Sequence, residues 1–497
     1  MGAKQNATAS DVDSLKKLLS GTGAQVFGPS DDGYSATVER WSRAAEKPAG
    51  VSVVPTTAEE VSIAVKYATE HDLDLAVKGG GHSTAGASST DGGVLINLSK
   101  MRNVSVDADK QLLHVQGGSL WHDVDQAAWK HGLATVGGTV ADTGVGGLTL
   151  GGGYGHLTGS RGLVIDNVVG ATVVLANGDI AKASKDQNAD LFWALLGAGQ
   201  NFGVTTEFVL QAYPQGEVFA GMMVFPPTPD NIEKIVATAN DLYTVKDGPN
   251  GPETKAKGRC GSLLALAKPP PAEGHTMILV LFSFFGTEEE AKEVLKGFYD
   301  IGPFQNTAAM QPYPKVNDLV PAVIGMRSSM KGAAFVLPIR AEFVSNVIAK
   351  YDEFLGSNQD AAPSLIAWEL YDPVKVTELD AGSYANRGYH LNGLVMPTWG
   401  SKENDQACRQ WARDVSNLFK EELQAHGEEP GKGIERVVGR RGHKGAVMLY
   451  GNYDQYDEIS KDIFGENYER LQQIKAKYDP TNMFNKLFAI TPAPAKL

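Results

Sequence analysis

The spacing of apolar residues along the chain marks out its elements. Val51–Val54 is a short run read as a buried strand, closed by Pro55. Thr57-Ala58-Glu59-Glu60 follows, with a hydroxyl and a carboxylate three residues apart. That pattern satisfies the free N–H groups at a helix start. Val61, Ala64, Val65 and Ala68 then recur on one helical face. Leu73–Lys78 reads as a second strand that runs straight into Gly79-Gly80-Gly81-His82. Strand, helix, strand and glycine loop make an α/β unit with room for ligand chemistry at its end.

Further strands are expected at Val94–Leu98, Val104–Val106 and Leu112–Val115. Ser119 is expected to cap a helix reaching about His131, with Trp121, Val124 and Ala128 on its apolar side. Val168–Ala176 turns through Asn177-Gly178 into Asp179–Ala183, a hairpin signal. Ala189–Leu196 reads as a helix and Val204–Ala212 as a strand. Near residue 215 the pattern changes. Prolines at 226, 227, 229 and 269–271 punctuate alternating strands and amphipathic helices such as Glu288–Tyr299. A second domain of mixed type follows from this, an antiparallel sheet with helices on one face. Tyr468–Lys477 is the closing helix, halted at Tyr478-Asp479-Pro480-Thr481-Asn482.

Composition narrows the function. The 497 residues exceed one ordinary core, so more than one domain is expected. Lys and Arg total 45 against 58 Asp and Glu, a net charge of −13 that argues against nucleic acid as a partner. No apolar run reaches the length of a membrane helix, and Met1–Asn6 lacks the apolar core of a secretory signal. No membrane association is expected, and the chain is placed inside the cell unless it is a trimmed secreted form. Cys260 and Cys408 are far apart, which excludes a cysteine zinc site and leaves one long-range bridge open. His114, His122, His131, His156 and His275 have no metal-ligand spacing, so no metal is expected.

Two glycine-rich stretches carry the chemistry. In Lys78-Gly79-Gly80-Gly81-His82-Ser83, consecutive glycines let backbone N–H groups surround phosphate oxygens; a flexible turn is the plainer alternative. In 144–159, eight of sixteen residues are glycine, separated by Val145, Leu148 and Leu150. Apolar spacers of this kind describe a buried, tightly turned backbone against a flat or phosphorylated ligand, not a linker. Neither stretch is G-x-G-x-x-G or a Walker A loop, so a nicotinamide-type Rossmann domain is not supported. Gly81-His82-Ser83-Thr84-Ala85 misses the serine-hydrolase elbow by its last residue.

With Gly162-Leu163, Asp166-Asn167, Asp190–Leu195, Tyr450-Gly451-Asn452-Tyr453 and Tyr478–Asn482, these stretches resemble the vanillyl-alcohol oxidase/para-cresol methylhydroxylase superfamily. The resemblance is strongest to its berberine-bridge-enzyme-like branch and covers nearly the whole chain. It implies an α+β, two-domain PCMH-type fold. Residues 1–215 would form the FAD-binding domain and 216–440 a substrate domain built on an antiparallel sheet covered by helices. Residues 441–497 would complete the FAD-binding domain. FAD is the implied cofactor, in contact with Lys78, Gly79, Gly80, Gly81, Ser83, Asp142, Thr143, Gly146, Gly147, Gly152, Gly153, Tyr154, Gly155, Val204 and Asn452. One covalent bond through His82 is implied. Val140 stands where many relatives have a second, cysteinyl tether, so that bond cannot form.

The resemblance also implies oxidation of a small organic molecule, an alcohol, amine or secondary metabolite. Hydride passes to FAD, and dioxygen is the acceptor that yields hydrogen peroxide. A dehydrogenase with another acceptor, a net non-redox cyclase and a vestigial flavin-binding protein stay open. Tyr450 and Tyr453 are candidates for base or substrate ligand. Aligning the strand that ends at Trp399 puts Leu394 at the relatives' acid/base position, with His390 and Asn392 as replacements on the same face. Arg161 stands where relatives often carry an aromatic residue and would favour an anionic flavin or substrate. The segment Phe484–Phe488 departs from the family's asparagine-rich tail. A monomer or weak dimer is expected.

Overall fold

A computed structural model describes residues 4–269, 272, 274–320, 325–426, 447–453 and 457–494. Met1–Ala3, Pro270, Pro271 and the expected boundary near residue 440 lie outside the described residues.

Short β-branched runs make the first lobe. Val51–Val54, Val94–Asn97 and Leu75–Lys78 pair in parallel, in the order given, with Gln25–Phe27 antiparallel at the outer edge. The helix Ala58–Glu70 packs Val61, Ala64, Val65 and Ala68 onto this sheet, and Thr57 and Glu60 form its capping box. A five-stranded antiparallel sheet follows, ordered Val104–Asp107, Leu112–Gln116, Val204–Gln211, Val168–Val174 and Ile180–Ser184. Val174 and Val204 join the core of the first sheet, so the two sheets share one apolar interior.

Val218–Phe225 opens an eight-stranded antiparallel sheet whose central strands are Met277–Phe284, Cys260–Ala267, Leu365–Leu370 and Leu391–Met396. Its two faces differ, because side chains alternate along each strand. Leu264, Val280, Trp368 and Val395 pack under the helices Pro229–Tyr243, Ala341–Ser357 and Asp405–Ala425. The opposite face carries Val224, Ala265, Leu279, Leu281, Ala367 and Leu394.

The chain then returns to the first lobe. Leu471, Ile474, Phe488 and Ile490 are buried in its largest core cluster, and Met483 and Phe484 in the other. The turn Tyr478–Asn482 works through Asp479, whose carboxylate accepts the Met483 and Phe484 N–H groups. Lys475 Nζ, fully buried, donates to Asp479, to the Asn201 carbonyl and to the Phe484 carbonyl at 2.6–2.7 Å. A buried charge is tolerated when every one of its hydrogen bonds is met in this way.

Three local expectations change. The helix after Ser119 starts at Trp121 with Leu120 at its N-cap, and the Ser119 hydroxyl is buried without a partner among the described residues. Asp123 reaches back to the Leu120 N–H instead. Glu288–Tyr299 divides into Glu288–Val294 and Lys296–Ile301, and the second glycine stretch contains a short helix, Val145–Leu150. Cys260 and Cys408 are separate buried thiols. Among the described residues no helix is long and apolar enough to cross a membrane, and no cluster of three potential metal ligands occurs.

Candidate active site

The two glycine stretches meet. A Cβ on Gly80 would lie 2.5 Å from the Gly144 backbone, and one on Gly155 would lie 1.7 Å from the Gly137 carbonyl oxygen. Such approaches exclude any side chain. Among the described residues, the N–H groups of Gly79, Gly80, Gly81, His82 and Ser83 donate to no protein acceptor. Buried or half-buried donors in a row with nothing to bind call for an external acceptor. Gly147 is exposed between buried Gly146 and half-buried Leu148, and a Cβ there would meet nothing within 4 Å.

Two cations flank the first loop. The Lys78 and Arg40 side chains lie beside Gly81, 3.2 and 3.4 Å from where its Cβ would be. Burial, with Arg40 nearby, pushes the Lys78 amine down to about 8. Burial likewise lowers Arg40 to about 10. A phosphate placed against these N–H groups would stabilise both cations, so this cradle fits the diphosphate of a dinucleotide cofactor. Arg40 was not foreseen, because it lies in a stretch without motif.

His82 follows the loop, with its ring stacked on Trp41 at 5.2 Å and its Nε2 3.7 Å from Asp142. Burial lowers its pKa, and the Asp142 carboxylate opposes this in part. The ring is thus held neutral near pH 7. Thr84, two residues on, accepts the Met330 N–H of the second lobe at 3.1 Å. Thr143 directly precedes Gly144, whose backbone meets Gly80, while Val204 is buried in the first-lobe core.

The second stretch leads on to a tyrosine cluster. A Cβ on Gly151 would strike Asn452, and one on Gly152, at φ +115°, would strike the Tyr384 ring. Asn452 donates to the Leu148 carbonyl and to Tyr450 Oη. Tyr450 packs edge-on against Tyr154 and Tyr453, with ring centroids 5.0 and 4.8 Å apart. Tyr453 Oη donates to Glu369 Oε1 at 2.6 Å.

Glu369 is the residue the sequence reading missed. It lies in Leu365–Leu370, on the face away from the helices, and is 4% exposed. Burial raises its pKa to about 7, held back by Tyr453 and by Asn392 on the adjacent strand. Its Oε2 has no partner among the described residues. One carboxylate inside Leu-Ile-Ala-Trp-Glu-Leu-Tyr was the available signal, because an unpaired carboxylate inside an apolar strand is costly without a role.

The other candidates divide. Asn392 faces Glu369 and Tyr154, whereas His390 lies just before its strand. Burial takes the His390 imidazole down to about 4, which suits a neutral hydrogen-bonding group more than a base near pH 7. Leu394 belongs to the apolar patch. Arg161 is exposed, with its guanidinium 4.1 Å above the Tyr213 ring, and is not brought to the tyrosine cluster. A different arginine serves there. Arg387 pairs with Asp166 at 2.7 Å, both nearly fully buried, and donates to the Val376 and Ala381 carbonyls. Its guanidinium is 5.8 Å from the Tyr384 ring. Arg387→Leu strands the Asp166 carboxylate and is expected to cost about 3–5 kcal/mol of stability. Thermal or urea unfolding of the variant beside the wild type checks this.

Comparison with known proteins agrees with this architecture. Residues 49–184 match the family described as FAD binding domain, and residues 449–490 match berberine and berberine like. The chain belongs to the FAD-linked oxidoreductases of berberine-bridge-enzyme-like type, and it is an FAD-dependent oxidoreductase with the PCMH-type fold. The FAD-linked oxidoreductase pgmH of Aspergillus terreus is 33% identical to it, over 97% of this chain and 96% of its own length. The 6-hydroxy-D-nicotine oxidase of Arthrobacter nicotinovorans superposes with a TM-score of 0.75 at 23% identity, covering 95% of this chain and 98% of its own. A berberine bridge enzyme variant in complex with (S)-reticuline gives 0.76 at 18%, covering 99% and 100%. At those identities the structural likeness is one of fold.

Proposed function

We propose that the protein oxidises a small organic molecule bearing an O–H or N–H group, an alcohol, amine or secondary metabolite, and that Glu369 takes up the proton released. The observation that carries this reading is the buried Glu369 carboxyl, with one oxygen bound by Tyr453 and the other without a partner. A base with pKa near the working pH is the most effective proton acceptor, and burial gives Glu369 that property.

FAD would be held by the Gly79–Ser83 loop, with Lys78 and Arg40 against its diphosphate and Asn452 and Tyr450 at its ring end. When bound, it supplies the two-electron acceptor, with dioxygen as the terminal oxidant giving hydrogen peroxide. His82 is the single covalent anchor in this reading, because its neutral imidazole keeps a lone pair for bonding to carbon. Tyr453 holds Glu369 in place, and Asn392 sits between Glu369 and Tyr154.

The test is anaerobic mixing of the flavin-loaded protein with alcohols, amines and phenolic compounds. Loss of the yellow absorbance, recovered on admitting air with one peroxide per flavin, is the expected result. Bleaching that air does not reverse would replace dioxygen with another acceptor. A flavin that no donor bleaches would remove the oxidation itself.

A further inference from the structure

The His82 ring is held between two residues whose own backbone is fixed. Trp41, stacked on the ring, donates its N–H to the Gly81 carbonyl at 3.2 Å, so it is tied to the loop that carries the histidine. On the Nε2 side stands Asp142, with Oδ2 at 3.7 Å. The segment bearing Asp142 is pinned on both flanks. The Ala141 carbonyl accepts the His122 N–H at 2.9 Å, and the Thr143 carbonyl accepts the Trp121 N–H at 3.0 Å. Those two donors open the helix Trp121–Trp129, and Trp121 is fully buried, so the first-lobe core sets the position of Asp142.

Among the described residues, His82 is the one ion-pair partner of Asp142, and Asp142 the one acid within that reach of His82. Asp142 Oδ1 is buried with no hydrogen-bond partner among them. A carboxylate placed in this way is costly until a positive charge comes to it. The neutral His82 ring does not supply one, since burial keeps its pKa low. Forming the tether does. An imidazole with its proton on Nε2 bonds to carbon through the Nδ1 lone pair, and the ring is cationic once that bond exists. Burial opposes this cation as it opposes protonation.

We infer that Asp142 promotes the covalent attachment of the flavin, by favouring the His82 tautomer with its proton on Nε2 and by stabilising the imidazolium as Nδ1 bonds to carbon. The inference rests on the reading of His82 as the covalent anchor and makes Asp142 a positioning residue. In the overall step a C–H bond of a flavin ring methyl gives way to the C–N bond. The electron pair of that C–H bond, the methyl proton and the imidazole proton reduce the ring, which is thus its own oxidant. Dioxygen then takes two electrons and two protons and leaves as hydrogen peroxide.

The test follows tether formation in the full-length apoprotein, produced under riboflavin limitation and then supplied with FAD. Gel filtration reports flavin bound in any manner, and acid precipitation reports the tethered fraction over time. Asp142→Asn, nearly the same shape without the charge, is expected to bind FAD as wild type does. It should tether that FAD about 10- to 100-fold more slowly. Asp142→Glu should recover part of the rate. A merely structural role would lower binding and tethering together. Tethering of the Asn variant at the wild-type rate, or loss of FAD binding in both variants, would overturn the assignment. The two readings fail separately. Wild-type FAD that never becomes acid-stable removes the His82 anchor and the role of Asp142 with it. A tether that His82→Ala abolishes and Asp142→Asn leaves unchanged removes only the role of Asp142.

Discussion

Glu369→Gln is expected to lower the rate of anaerobic flavin reduction about 10²- to 10⁴-fold, the usual range for removing a positioned general base. The flavin should stay bound, because Glu369 lies on the sheet of the second lobe and not in the glycine cradle. The pH profile separates loss of a base from loss of shape. Glu369 accepts a proton only when ionised, so wild-type kcat/KM should rise about tenfold per pH unit below 7 and level off above it. The glutamine variant should lose that limb. Tyr453→Phe removes a hydrogen bond that favours the carboxylate, and the limb should then move to higher pH. A Glu369→Gln enzyme with the wild-type profile would reassign the base, with Tyr450 and Tyr453 the next candidates.

His82→Ala is expected to have an all-or-none effect. Acid-precipitated wild-type protein should keep its flavin fluorescence on a denaturing gel, and the variant should lose all of it. The prediction depends on a neutral, positioned ring: Trp41 stacks on it and Asp142 stands 3.7 Å from Nε2. No cysteine stands near to compensate, because Cys260 and Cys408 are both in the second lobe, buried in its core. Wild-type flavin that leaves with the acid supernatant would reduce His82 to a contact. The Glu369 prediction would still stand, since the two residues sit in different lobes.

The first lobe was legible because its demands are local. A capping box at Thr57 and Glu60, β-branched strands and glycines at backbone contacts each leave a short-range signature. The eight-stranded sheet was legible as a class only, since its order depends on contacts far apart in sequence. The reading of the Leu391–Met396 strand placed Asn392 and Leu394 correctly on one face, and Asn392 does stand next to Glu369. Glu369 itself comes from a different strand, and the pairing of Leu365–Leu370 with Leu391–Met396 sets it beside Asn392. Arg161 and Arg387 show the same limit. Nothing within a few residues of either says that the second reaches Asp166 while the first turns outward to Tyr213.

The return of the chain to its starting lobe has a consequence for biosynthesis. A ribosome that has reached Pro214 has made both sheets of the first lobe, and that lobe still lacks Leu471, Ile474, Phe484 and Ile490 from its interior. It also lacks the Lys475 ammonium that binds the Asn201 carbonyl. Domains usually fold in the order in which they are translated. Here the earliest segment must wait for one of the latest, with the second lobe made in between. Flavin capture is then a late event that reports a finished chain, and a nascent or truncated product would stay colourless.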